Sequence, residues 1–257
     1  RKGSDWRMDG IRAVIFDVFG TVVDWRSGIA REASAFLARH GCANADGFAF
    51  ADAWRRRYAP SMAAVSSGRR DFVRLDVLHR ENLDGVLREF GIDPAGLPAD
   101  ELDELNRAWH RLDPWPDSVP GLARLKTKYF IAPLSNGNIL LLANMAKRAG
   151  LPWDAILGAD MVRGYKQRPD GYVRTVQVLG MRPAEVCLVA AHNGDLTAAR
   201  HCGLRTGFVA RPTEHGPGQT TDLQPAADWD FVAADFVGLA GAMGCAGASG
   251  AGAPNLE

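Results

Sequence analysis

The stretch VIFDVFGTVVDW, Val14 to Trp25, sets Asp17 at the end of an apolar run and follows it with Phe19, Gly20 and Thr21. An aspartate in that place has two readings. It can shape a turn or cap a helix. It can also be a nucleophile, because a carboxylate with an ordinary pKa of about 4 is ionised at neutral pH and can form a covalent ester with a substrate. Gly20 lets the chain turn back, and Thr21 can hold the carboxylate or its loop by hydrogen bonds. Phe19, two places after Asp17, cannot donate a proton.

Further polar groups stand at comparable points. LSNG places Ser135, Asn136 and Gly137 after another apolar run. They read either as an ordinary helix N-cap or as a helix N-terminus whose N–H groups and dipole face an anion. In VAAHNGDL, His192 stands three residues before Asp195. Taken singly, that aspartate is a cap for the helix that follows and that histidine a structural residue. WRRRY, Trp54 to Tyr58, looks like a basic patch on a solvated face. Consecutive helical residues point about 100° apart, so Arg55, Arg56 and Arg57 cannot share one pocket. YKQRPDGY supplies Lys166 and, six residues later, Tyr172, types that singly fill surface and core.

The elements that must position these groups alternate. Ile11–Val18 reads as a buried strand. From Gly28 to about Asp113 the apolar spacing is helical, with Gly, Pro and Asp as breaks and no strand signal. Strands are then expected at Tyr129–Leu134, around Ala155–Ala159, at Val186–Ala190 and at Thr206–Ala210. Helices are expected near Ile139–Ala149, Pro169–Leu179 and Leu196–His201. Strand–helix alternation predicts an α/β fold with a doubly wound parallel sheet, a Rossmann-like core. The core would comprise residues 8–24 and 114–240, with 25–113 inserted as a helical cap. In such sheets ligands bind beyond the carboxyl ends of the strands, and every candidate group lies at such an end or in the cap. Residues 1–7 and the Gly/Ala-rich 241–257 are expected to be mobile extensions.

Bulk properties exclude some classes. The chain has 257 residues, 47% hydrophobic and 23% charged, and its 30 basic and 30 acidic residues cancel. No global field favours nucleic acid or an anionic membrane, and no apolar run approaches the roughly 18–20 residues of a membrane span. Cys42, Cys187, Cys202 and Cys245 are scattered without metal-ligand spacing, which points to free thiols in a reducing cytoplasm.

In combination these motifs resemble the haloacid dehalogenase superfamily, over about Ile11 to Pro212. Its first motif is Asp-x-x-x-Thr after the first strand, matched by Asp17 and Thr21. Phosphatases of that superfamily carry a second Asp where this chain has Phe19, and FDVFGTVVDW is similar to the L-2-haloacid dehalogenase branch (type II). The resemblance implies that Asp17 attacks C2 of a short L-2-haloalkanoate, such as a haloacetate or 2-halopropionate, and displaces halide. Water then hydrolyses the Asp17 ester to give the 2-hydroxy acid with inversion. Catalytic roles fall on Asp17, Lys166, His192 and Asp195, with His192 taken as a neutral, titratable acceptor for water. Substrate-binding roles fall on Phe19, Thr21, Arg55, Ser135, Asn136 and Tyr172. The pattern departs from the family at Gln167, where a proline is usual, at Ala190 for serine, at His192 for asparagine and at Gly194 for an aromatic. No metal and no cofactor are expected. The partners are a small haloacid and water, with no nucleic acid and no membrane, and a homodimer is carried by the resemblance alone. The alternatives are a magnesium-dependent phosphatase or phosphonatase and a non-catalytic binding module of the same fold.

Overall fold

The computed structural model describes residues 10–245, so the expectations for residues 1–7 and 246–257 lie outside the described residues. The chain opens with β1 (Ala13–Phe16) and the short β2 (Val23–Asp24). Five helices follow: α1 (Trp25–Arg39), α2 (Gly47–Arg56), α3 (Tyr58–Ser66), α4 (Leu75–Glu89) and α5 (Ala99–Asn106). Then come β3 (Asp113–Pro114), α6 (Ser118–Lys126), β4 (Phe130–Pro133), α7 (Ile139–Ala149), α8 (Ala159–Val162) and α9 (Pro169–Val178). The chain continues through β5 (Val186–Ala190), α10 (Asn193–His201), β6 (Arg205–Val209), β7 (Phe231–Ala233) and α11 (Phe236–Ala242).

Five strands form one parallel sheet in the order β4-β1-β5-β6-β7. Successive strand residues face opposite sides, and both sides are buried. Val14 and Phe16 of β1, with Cys187 and Val189 of β5, pack against Leu122, Leu125, Phe236 and Leu239 of α6 and α11. Ala13, Ile15, Leu188 and Ala190 face the other way, against Tyr172, Val176, Leu196 and Ala199 of α9 and α10. Two covered faces explain why these strands read as continuous apolar runs.

The helical block leaves and rejoins the sheet domain through β2 and β3, which pair antiparallel with Val23 opposite Pro114 and Asp24 opposite Asp113. The Asp24 carboxylate starts α1 by accepting from the Ser27 N–H at 3.0 Å. Ile29, Ala33, Phe36 and Leu37 then form one stripe at helical spacing. They belong to the same buried cluster as Phe50 and Trp54 of α2 and Leu83 and Val86 of α4, and this cluster is continuous with one face of the sheet.

Some expectations are corrected. No strand forms around Ala155–Ala159; the segment runs irregularly into α8. The reason is a tertiary contact: Asp154 docks on the edge strand β4, its N–H donating to the Ile131 carbonyl and its carboxylate accepting from the Ile131 N–H, both at 2.9 Å. The edge is thereby closed to a further strand. At the C-terminal end β7 and α11 add a strand and a helix that the pattern did not reveal, and residues 241–245 are ordered, with Cys245 buried. α10 starts at Asn193, earlier than Leu196. Among the described residues no helix is long and apolar enough to cross a membrane, and all four cysteines are free.

Candidate active site

The Asp17 N–H donates to the Val189 carbonyl at 3.0 Å, which carries the β1–β5 ladder one residue past β1 and sets the carboxylate at the strand's carboxyl end. Thr21 Oγ1 donates to Asp17 Oδ2 at 2.7 Å and accepts from the Ala191 N–H at 2.9 Å, so one hydroxyl ties the Asp17 loop to the end of β5. Gly20 between them has φ +87°, and a Cβ there would meet Glu214 Oε1 at 2.0 Å. Both the backbone sign and the close approach require glycine.

Lys166, just ahead of α9, bridges two carboxylates. Its Nζ lies 2.9 Å from Asp17 Oδ1 and 2.5 Å from Asp195 Oδ2. Burial would push Asp17 up and Lys166 down, but their mutual attraction, with His192 acting on Asp17 and Asp195 on Lys166, leaves Asp17 well below and Lys166 well above their ordinary values. The ammonium fills the space between the two carboxylates in which a cation would otherwise screen them. Tyr172 is fully buried behind Asp195 and donates its hydroxyl to Asp195 Oδ1. Burial and that carboxylate raise the phenol and keep it protonated.

His192 departs from expectation. Its Nδ1 lies 3.1 Å from Asp17 Oδ2 and its Nε2 lies 2.8 Å from Glu214 Oε2. Burial alone would lower the imidazole, but Glu214 and Asp17 on its two nitrogens raise it well above its ordinary value. An imidazolium has two N–H donors and no acceptor. The neutral, water-accepting histidine expected from sequence is therefore replaced by a charged donor, and the cause is a residue the sequence reading missed. Glu214 follows β6 in RPTEHG. A polar residue just beyond a strand's carboxyl end was the signal available for it.

These groups open on a cavity of about 430 Å³ lined by Asp17, Phe19, Arg55, Asn136, Lys166 and His192, among others. Arg55 comes from α2 and lies over the Tyr58 ring with its Cζ 4.0 Å from the centroid. Its buried Nη1 has no hydrogen-bond partner among the described residues. Arg56 and Arg57 instead pair with Glu89 on the surface. Nearby His79 is buried among aromatic rings, and burial, aided by Arg55, pushes it down to about 3, so it is neutral. Asn136 is fixed by donating to the Tyr58 hydroxyl at 3.1 Å and accepting from the Lys166 N–H at 2.7 Å.

Not every candidate reaches the cavity. Thr21, Ser135 and Tyr172 do not line it: the Thr21 hydroxyl donates to Asp17, Ser135 Oγ accepts from the Gly137 N–H, and Tyr172 donates to Asp195. Ser135 and Asn136 also do not open α7. That helix starts at Ile139 after Asn138, and the Ile139 N–H is taken by Asp160. Phe19 lines the wall as an apolar surface, edge-on to Trp109 with centroids 5.8 Å apart. Two departures from the family pattern lie side by side: a Cβ on Gly194 would stand 2.9 Å from Gln167 Nε2, the far end of the amide side chain that replaces proline.

The model of haloacid dehalogenase-like hydrolases matches residues 11–203. The chain belongs to that family. Among its relatives, the (S)-2-haloacid dehalogenase of Xanthobacter autotrophicus is 32% identical over 207 residues, 78% of this chain and 76% of the relative. An (S)-2-haloacid dehalogenase of Pseudomonas sp. (strain CBS-3) is 34% identical over 213 residues, 79% of this chain and 86% of the relative. In structure, a defluorinating L-2-haloacid dehalogenase superposes with a TM-score of 0.89 at 60% identity, covering 91% of this chain and 95% of that one. The α/β core is thus shared with an enzyme whose name carries the dehalogenase activity.

Proposed function

We propose that the protein hydrolyses the carbon–halogen bond of short L-2-haloalkanoates to give 2-hydroxy acids with inversion, through an ester on Asp17. The single observation that carries this reading is a cavity lined by an ionised aspartate at a strand end and by Arg55, whose buried Nη1 has no hydrogen-bond partner among the described residues, with Phe19 rather than an acid two places after the nucleophile. A relative 28% identical to this chain, with a TM-score of 0.74 and covering 92% of this chain, has chloropropionic acid covalently bound.

Asp17 attacks C2 from the face opposite the halogen, and the halide leaves toward Arg55 and Asn136. Halide is a good leaving anion and needs no proton, which suits Phe19. Water then attacks Cγ of the ester and gives a proton to Asp195, and the C2 oxygen departs as the hydroxy acid. The first step inverts C2 and the second does not touch it. Positive charge from Lys166, His192 and Arg55 balances Asp17, Asp195 and Glu214 before substrate enters, so a monoanion can be accepted.

Halide release should be measured with chloro-, bromo- and fluoroacetate and with both enantiomers of 2-chloropropionate. L-2-Chloropropionate giving D-lactate supports the reading. Turnover of the D enantiomer alone, or of phosphate esters alone, overturns it.

A further inference from the structure

Glu214 lies outside every motif that places the chain in its family, yet it is held with care. Its carboxylate is 1% exposed as a residue. Oε1 accepts from Trp25 Nε1 at 3.0 Å, Oε2 meets His192 Nε2 at 2.8 Å, and Gly20 has no Cβ because this carboxylate fills the space. His215 stands at 3.6 Å from Oε1. Burying a carboxylate costs free energy unless charge and hydrogen bonds compensate, and here the compensating partner is an imidazole whose other nitrogen reaches the nucleophile.

The two oxygens of Asp17 are not equivalent. Oδ2 faces two donors, Thr21 Oγ1 at 2.7 Å and His192 Nδ1 at 3.1 Å. Oδ1 faces Lys166 Nζ, which it shares with Asp195. The oxygen already engaged by two donors is poorly placed to attack, whereas Oδ1 can form the bond to C2. Oδ2 then becomes the ester carbonyl oxygen, with both donors still aimed at it.

Resting on the dehalogenase reading, we propose that Glu214 is a positioning residue for the second half-reaction, holding His192 so that its Nδ1–H and the Thr21 hydroxyl form the oxyanion cradle for Oδ2. When water bonds to Cγ, its proton passes to Asp195 and the carbonyl π pair moves to Oδ2 as full negative charge. Collapse re-forms the carbonyl, breaks the Cγ–Oδ1 bond, and returns the proton to the departing C2 oxygen. Hydrogen bonds to Oδ2 are stronger at that stage than in the carboxylate or the ester, which is the condition for accelerating a step. The charged groups facing His192 are Asp17 and Glu214. Glu214 also faces His215, and Asp17 also faces Lys166.

Rapid-quench kinetics with L-2-chloropropionate, on the full chain and on Glu214→Gln, separate halide release from ester hydrolysis. Glu214→Gln should keep a one-equivalent halide burst and then accumulate ester, with hydrolysis about 10²-fold slower, the size of loss when one oxyanion donor is removed. Its hydrolysis should also fall as pH rises through neutrality, because without Glu214 the imidazole loses its proton there. Glu214→Asp should restore a flat profile. Wild-type hydrolysis with a flat profile in Glu214→Gln overturns the proposal, as does equal slowing of burst and hydrolysis, which is what a merely structural glutamate gives. Should the variant not fold, nitrogen NMR of the wild-type ring decides: both His192 nitrogens protonated through pH 8 supports the proposal, and one bare nitrogen at pH 7 overturns it. Absence of any halide release by the wild type overturns the dehalogenase reading and this inference together, a result distinct from each of the others.

Discussion

Lys166 Nζ stands 2.9 Å from Asp17 Oδ1, and the two side chains are only 6% and 11% exposed. They are 149 residues apart in sequence. Removing one partner of a buried pair leaves an uncompensated charge and costs about 3–5 kcal/mol. Here two carboxylates would lose the same ammonium. Lys166→Met should therefore cost stability of that order in urea unfolding and abolish halide release, while its circular dichroism stays native. A variant as stable as wild type would show that the pair contributes little.

Asp17→Asn should abolish halide release without loss of fold, since an amide does not supply the attacking oxygen. A single turnover of wild type in heavy-oxygen water should place the label in Asp17 and not in the first product molecule. Label in that first hydroxy acid would mean direct attack by water.

Arg55→Lys should behave like Arg55→Ala and not like wild type. The guanidinium lies over the Tyr58 ring in the cavity wall, with a buried Nη1 that has no hydrogen-bond partner among the described residues, and an ammonium reproduces neither the planar stacking nor the fork of donors. We expect halide release in the first turnover to fall at least about 10²-fold in both variants, as when one preorganised donor is lost at a developing anion. Inhibition by added bromide should weaken in parallel. Activity in Arg55→Lys close to wild type would remove Arg55 from the halide's path.

The pH dependence of stability follows from two shifts of opposite sign. Asp17 is held below its ordinary value, so its contribution is present above about pH 4 and is lost as pH falls through the depressed folded value. His192 is held above its ordinary value, so its contribution is complete below about pH 6.5 and is lost as pH rises through the raised folded value. Denaturant unfolding from pH 3 to 10 should show a plateau between about pH 4 and 6.5, with losses on both sides. Stability that keeps rising above pH 8 would contradict the charged state of His192.

Chelation should leave turnover unchanged. Lys166 already supplies the positive charge between Asp17 and Asp195, and Phe19 offers no acid for phosphate esters. Halide release measured after exhaustive EDTA treatment checks this, and restoration by magnesium of an activity lost to EDTA would refute it.

Much of this molecule is legible from local signals. The strand at β1, the helix over Ile139–Ala149 and the strand Val186–Ala190 are written in apolar runs and periodicity, because burial on one face or two imposes a repeat on the sequence. Asp17, Asn136, His192 and Asp195 could be singled out because each follows a strand, where a parallel sheet leaves its ligand-binding end open, whereas Arg55 and Lys166 were singled out by the resemblance to the family pattern. Other features depend on neighbours distant in the chain. The irregular path before α8 is decided by Asp154 closing the edge of β4. Which candidates line the cavity and which, like Thr21 and Tyr172, do not is likewise a matter of assembly. The charge of His192 is the clearest case. The residue type permits either state near neutrality, and the choice is made by Glu214, which the fold brings from beyond β6 to within 2.8 Å. Periodicity reports the surface a residue buries, whereas a proton is placed by the electrostatic field at one point, and that field exists only after the chain has closed around it.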